Sequence, residues 1–274
     1  MHRIEANGAA IPALGLGTWT LRGRQCTEIV AEALRLGYRH VDTAAMYDNE
    51  AAVGEGIRAS GLARDAVFLT TKVWWTDIAP GDLLRSAEAS VKRLGFPSVD
   101  LLLIHWPNDR VPLERSVEAL NETRRRGLAR HIGVANFPTA LLERAVRASE
   151  APLACNQVEY HPYLDQQKVG AACRDARLAL VSYCPLYRGR GLFEEPPIRD
   201  AATRHGRSPA QIVLRWHVQQ DGVAAIPRTT RKERLAENAA IFDFALAAEE
   251  MAAITALSSR NSRLCDFDFA PRWD

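Results

Sequence analysis

The chain has 274 residues, long for an average domain and ordinary for a single closed α/β barrel. With 47% apolar residues it can bury a large core, and a formal net charge of +2 gives no electrostatic case for nucleic acid or a membrane surface. Five scattered cysteines, Cys26, Cys155, Cys173, Cys184 and Cys265, form no C-x-x-C pair; this argues against a disulfide framework or a zinc site and fits a reducing, cytoplasmic setting.

The opening residues show no charged segment followed by a long apolar stretch, so no signal peptide is expected, and no apolar run reaches membrane-spanning length. Arg3 to Ala13 carries Asn7 and Gly8, a pair that favours a tight hairpin, expected to plug the bottom of a barrel. Leu14 to Gly17 reads as the first main strand. A helix over Glu28 to Leu36 leads to a strand over Arg39 to Thr43, and a helix over Asn49 to Ser60, closed by Gly61, leads to Val67 to Val73. Gly81 to Leu94 ends at Gly95 and is followed by the strand Val99 to His105. Pro112 to Arg126 has proline at its start and Gly127 at its end, the punctuation of a helix. Strand Arg130 to Ala135, helix Pro138 to Ala148, strand Leu153 to Val158, helix Asp165 to Ala176 and strand Leu178 to Tyr183 follow. Helix Pro209 to Gln219, strand Val223 to Pro227 and helix Arg231 to Ala240 complete the series. That makes about eight strands alternating with helices, the number a closed parallel barrel needs. No linker or composition shift divides the chain, so residues 1–274 read as one domain. A doubly wound open sheet would normally show G-x-G-x-x-G after its first strand, and GLGTW does not fit that pattern.

Chemistry in such a barrel sits at the C-terminal ends of the strands. Read in order, those ends carry Asp42 with Tyr47 five residues on, then Lys72, His105, Asn136, Asn156 with Gln157, Tyr183 and Arg228. Each alone has a plainer explanation: a capping aspartate, a snorkelling lysine, a structural histidine, a packed tyrosine. Lysine is scarce in this arginine-rich chain, however, and four of these residue types fit one mechanism. A carbonyl oxygen that gains charge as hydride arrives needs a proton donor. A free phenol, with a pKa of about 10, is a poor acid near neutrality. A lysine beside Tyr47 would lower that value, a carboxylate would keep the lysine charged, and a neutral histidine would orient the carbonyl. Lys72, Asp42 and His105 supply these roles.

The motifs around these residues closely resemble the aldo-keto reductase superfamily over nearly the whole chain. They are NG-x-x-IP-x-LGLGTW, HVDTA followed by Tyr47, TKVW, LLLIHWP, IGVANF, NQVEYHP, SYCPL and IPRTTRKERLAEN. The short loop after His105 and the ENAAIFDF stretch are most similar to the bacterial 2,5-diketo-D-gluconate reductase branch. The resemblance implies an (α/β)8 barrel, an extended nicotinamide cofactor bound without a Rossmann fold, and catalysis by Asp42, Tyr47, Lys72 and His105. It also implies that Asn136 and Gln157 hold the nicotinamide carboxamide and that Tyr183 stacks on its ring. Leu186 and the stretch from Arg188 through Gly189 to Arg190 would lie along the pyrophosphate. Arg228, Thr229 and Arg234 would grip the 2′-phosphate, with Glu237 and Asn238 near the adenine. Gly17, Thr18, Asp42 and Cys184 complete the expected cofactor contacts. NADPH is favoured on physical grounds too, because the guanidinium fork suits phosphate.

Three residues depart from the family pattern. Ala135 and Cys184 stand where serine is usual, and Arg228 where lysine is usual. Cys184 is accordingly an expected oxidation-sensitive point beside the cofactor. Trp19, Trp74 and Trp106 follow strand ends and are expected to wall the pocket, and a tail from Asn261 to Asp274, bearing Phe267, Phe269 and Trp273, to close over it. The expected partner is a small carbonyl substrate, and a monomer is expected. One alternative is a non-catalytic barrel that binds NADPH as a redox sensor or structural protein; the complete set of four favours an enzyme. A metal-dependent barrel hydrolase would want clustered ligands, which His105, His161 and His217 do not offer.

Overall fold

A computed structural model describes residues 2–274. The chain opens with an antiparallel hairpin, β1 (Arg3–Ala6) and β2 (Ala9–Pro12), turned at Asn7 and Gly8, both with positive φ. Asn7 Nδ2 donates to the carbonyls of Leu153 and Ala176 at 2.8 and 3.0 Å, which fastens the hairpin under the barrel as expected.

Eight parallel strands follow in sequence order: β3 (Leu16–Gly17), β4 (His40–Asp42), β5 (Phe68–Val73), β6 (Val99–Ile104), β7 (Ala129–Ala135), β8 (Leu153–Glu159), β9 (Ala179–Tyr183) and β10 (Val223–Ala225). The sheet closes on itself. Leu14 bridges Ala225 in parallel, Gly15 N–H donates to Ala225 O at 2.9 Å, and Gly17 N–H donates to Pro227 O at 3.1 Å. Glycine is required at this seam: a Cβ on Gly17 would stand 2.7 Å from Ile226 O. No helix among the described residues is long and apolar enough to cross a membrane.

The outer ring is α1 (Gly23–Arg35), α2 (Glu50–Ala59), α3 (Pro80–Leu94), α4 (Leu113–Arg125), α5 (Thr139–Ala148), α6 (Gln167–Asp175), α7 (Pro196–His205), α8 (Pro209–Val218), α9 (Lys232–Ala239) and α10 (Ala248–Thr255). Two of these, α7 and α10, are absent from the sequence reading. α7 nevertheless carries the punctuation used elsewhere, with proline in its first turn and Gly206 at its end. α1 begins at Gly23, five residues before the expected Glu28.

The period of two along the strands separates two cores. Val41, Leu69, Leu102, Ile132 and Val134 face the helices. Leu101, Leu103, Ala135, Cys155, Ala179, Val181, Ala224 and Ile226 fill the barrel, with Ala6, Ala9 and Ile11 of the hairpin packed beneath them. The inward rows continue upward into polar residues: Leu101 and Leu103 lead to His105, Cys155 to Gln157, and Ala179 and Val181 to Tyr183. His40 and Thr70 lead likewise to Asp42 and Lys72 on β4 and β5. The site is therefore the top layer of the barrel interior.

Candidate active site

The core of the site is a buried ion pair. Lys72 Nζ donates to Asp42 Oδ1 at 2.5 Å and to Thr43 O at 2.8 Å, and both side chains are almost wholly buried. Asp42 Oδ2 accepts from Gln157 Nε2 at 2.7 Å. Gln157, expected at a cofactor amide, thus also braces the aspartate from across the barrel. Burial pushes the Lys72 ammonium below its ordinary value, while Asp42 acts in the opposite sense.

Tyr47 sits in a single helical turn (Ala45–Tyr47) after β4 and is half-buried. Asn49 fixes that turn, accepting from Thr43 Oγ1 at 2.7 Å and donating to the carbonyls of Thr18 and Leu21 at 2.9 and 3.0 Å. Sequence reasoning takes Asn49 only as a helix start; nothing local distinguishes that role from a buried bracket. Lys72 Nζ lies 5.1 Å from the centre of the Tyr47 ring.

The lysine expected to lower the phenol pKa does not set the net direction at Tyr47. Burial, followed by the charge of Asp42, pushes Tyr47 well above its usual value. The phenol therefore holds its proton throughout the neutral range. His105 meets the expectation of neutrality, since burial and the Lys72 charge push it far below its ordinary value. Its ring stands edge-on to Tyr47 at 5.7 Å and to Trp74 at 5.1 Å.

Asn136 takes a left-handed backbone, φ 63°, just after β7. It donates to His105 O at 2.9 Å and accepts from the Tyr183 hydroxyl at 2.7 Å. The proposed carboxamide holders and the ring-stacking tyrosine are thus brought together, with one Asn136 amide hydrogen still free. Thr18 is buried, its hydroxyl donating to Asp42 O at 2.9 Å. Gly17 is buried at the seam. Leu186 packs against the outer core, and Gly189 turns with φ 73°. Arg188 turns towards the tail, its Nη2 4.0 Å from Cys265 Sγ.

On the loop after β10 Arg228 is exposed and forms no ion pair among the described residues. Thr229 Oγ1 accepts from Arg231 N–H at 3.0 Å. Arg234 lies in the first turn of α9 and pairs with Glu237 at 3.2 Å. Glu237 also accepts from Ser208 Oγ at 2.5 Å, and Asn238 is buried.

The side chains around Tyr47 and His105 are aromatic. Trp19, 40% exposed, lies 4.9 Å from Tyr47, while Trp106 is 3% exposed. The tail crosses these side chains: Phe269 stacks on Trp75 at 4.8 Å and meets Trp74 and Trp106 at 5.6 and 5.5 Å. Trp75 and Glu159 are absent from the sequence reading: Trp75 lies beyond the end of β5, and Glu159 one residue past the expected end of its strand, where the period of two sets it on the same face as Gln157.

Cys184 lies with φ 51° in the loop after β9. A hydrogen bond with Cys265, helped by the Arg188 charge, lowers its thiol below the ordinary value. Burial pushes Cys26 and Cys173 up to about 12 and raises Cys155 as well. Iodoacetamide is therefore expected to modify Cys184 before the other four cysteines, as read by peptide mass spectrometry. Earlier labelling of Cys26 or Cys173 would contradict this ordering.

A closed parallel barrel with an aspartate, lysine, tyrosine and histidine gathered on its upper rim is the architecture of a carbonyl-reducing oxidoreductase. Residues 13–259 match the model of the aldo/keto reductase family, and the chain belongs to that family. It is 41% identical to methylglyoxal reductase DkgB of Escherichia coli O157:H7 over 268 residues, 97% of this chain and 100% of that one. It is 40% identical to glyoxal reductase of Bacillus subtilis (strain 168), covering 92% of this chain and 91% of the relative. A crystal structure named for a 2,5-diketo-D-gluconic acid reductase B superposes with a TM-score of 0.97 at 48% identity, covering 100% of this chain and 98% of the other.

Proposed function

We propose that the chain reduces small aldehydes and ketones, with methylglyoxal-like dicarbonyls foremost, using NADPH as reductant and Tyr47 as proton donor. The observation that carries this reading is Tyr47 set between the buried Lys72–Asp42 pair, whose Nζ lies 5.1 Å from its ring centre, and the His105 ring 5.7 Å away. The reductase names of the curated relatives support the substrate class.

The residues fit a nicotinamide dinucleotide phosphate. Asn136 and Gln157 keep unused amide hydrogen-bonding capacity, Tyr183 offers a ring beside them, and Arg228 is an exposed guanidinium on the loop that leads to α9, which carries Arg234. These residues would hold the carboxamide, the ring and the 2′-phosphate respectively. Bound there, NADPH supplies the hydride for the carbonyl carbon.

The chain's own groups manage the oxygen. His105 Nδ1 is buried with no partner. A buried N–H without an acceptor costs more than an unused lone pair, so the proton of the neutral ring belongs on Nε2. That nitrogen can then donate to the carbonyl oxygen and orient it. As negative charge develops on that oxygen, the nascent alkoxide is more basic than a phenolate, and the Tyr47 hydroxyl gives up its proton. Lys72 then steadies the phenolate, and Asp42, held by Gln157, keeps Lys72 in place.

The test is NADPH consumption, followed by absorbance, with methylglyoxal and simple aldehydes; no turnover on any of them would sink the reading. NADPH is expected to exceed NADH in kcat/KM. Arg234→Ala should narrow that preference about tenfold, the worth of one charge-assisted hydrogen bond. Equal use of both cofactors by the wild type would remove the 2′-phosphate assignment.

A further inference from the structure

Glu159 is a fully buried carboxylate that the reduction chemistry does not use. It ends β8, two residues beyond Gln157, and sits in register with Tyr183 of β9. Both oxygens are directed at the C-terminal tail. Oε1 accepts from Leu264 N–H at 2.6 Å and Oε2 from Cys265 N–H at 2.8 Å. His161 Nε2 adds a third contact to Oε1 at 2.9 Å. These donors hold the carboxyl below its ordinary value against the opposing effect of burial, so it is ionised at neutral pH.

The neighbouring contacts extend the same attachment. Ser262 N–H donates to Tyr163 O at 2.8 Å, and Ser262 Oγ meets the Tyr187 hydroxyl at 2.8 Å. Beyond Cys265 the chain runs over the pocket wall, laying Phe267 and Phe269 on Trp106, and its far side is tied where Asp274 Oδ2 accepts from Thr139 N–H at 2.9 Å. The strap thus has two attachments, and the one at Glu159 is the buried, charged one. The strand that presents Gln157 to Asp42 presents Glu159 to the strap, so one rigid element sets the distance between reacting groups and roof.

We propose that Glu159 is a positioning residue that fixes the tail aromatics over the Tyr47 pocket and thereby sets the acceptance of bulky aromatic carbonyls. The proposal rests on the reduction site being at Tyr47. Methylglyoxal, too small to reach the strap, needs no such roof; 2-naphthaldehyde must pack against it.

Four proteins make the test: wild type, Glu159→Gln, Leu264→Pro and the double variant. Glu159→Gln sets an amide group against one of the tail N–H donors. Leu264→Pro removes a donor while leaving the barrel intact. Each variant is expected to raise KM for 2-naphthaldehyde about tenfold with kcat on methylglyoxal within about twofold of wild type, and the double variant to do no more than the singles. Hydrogen exchange should quicken at least tenfold at the Cys265 amide in both variants. Unchanged exchange in Glu159→Gln would overturn the attachment. Faster exchange with unchanged KM would overturn the positioning role, and additive effects in the double variant would show that Glu159 acts elsewhere. Should Glu159→Gln not fold, Leu264→Pro alone decides on the same two readouts. A wild type that reduces neither carbonyl would instead overturn the site reading, and the specificity role with it.

Discussion

Tyr47→Phe is expected to lower kcat for methylglyoxal by about a thousandfold, within the range that removal of a positioned general acid produces. The substitution deletes one oxygen and keeps the ring against Trp19 and His105. NADPH affinity, measured by quenching of tryptophan fluorescence, should stay within about twofold, because the expected cofactor contacts lie on Asn136, Gln157, Tyr183 and the arginines around α9. The net pKa direction at Tyr47 sharpens the prediction. A phenol pushed upward by burial is fully protonated at neutral pH, so the wild-type rate should show no loss of the acid as pH rises through the neutral range. Retention of more than a tenth of the turnover by Tyr47→Phe would remove Tyr47 from the role.

Lys72→Met is expected to damage both stability and rate. The substitution nearly conserves volume, yet it leaves the Asp42 carboxylate buried with only Gln157 and no counter-charge. Breaking a buried pair by removing one partner typically costs about 3–5 kcal/mol, chiefly the penalty of the stranded charge. Urea unfolding should report a loss of that order. Adding Asp42→Asn removes the stranded charge and should recover most of the stability, while kcat stays low because the lysine that steadies the phenolate is still missing. Recovery of turnover together with stability would show that the pair serves folding alone.

Much of this was open to reading in the sequence, for a physical reason. In a parallel barrel the interior is apolar and packed, so a lysine, histidine or aspartate that continues an inward row stands out against Leu103, Val181 and Ala224. Lys72 and His105 are visible for that reason, and Tyr47 gains its meaning from them. The glycines and prolines bounding α3 and α4 mark helix ends with equal clarity. What stayed hidden depends on contacts between distant segments. Gln157 reaching Asp42 spans the barrel. The upward shift of Tyr47 comes first from burial in the assembled rim, which no spacing reveals. Asn49 looks like any helix start until Thr18 and Leu21 are seen to need its amide. Arg188 faces the tail through a left-handed turn that its neighbours alone do not announce.

The manner of the attachment at Glu159 bears on how such a barrel can diversify. The carboxylate grips main-chain N–H groups, which every residue except proline provides. The sequence of the tail is therefore almost free to change without losing its seat, and the barrel need not change to accommodate it. New roofs can be tried over an unaltered reaction centre by substitutions at Phe267, Phe269 and Trp273 alone. A mutational library confined to residues 266–273 should accordingly yield folded proteins with altered substrate range far more often than one directed at the strand ends.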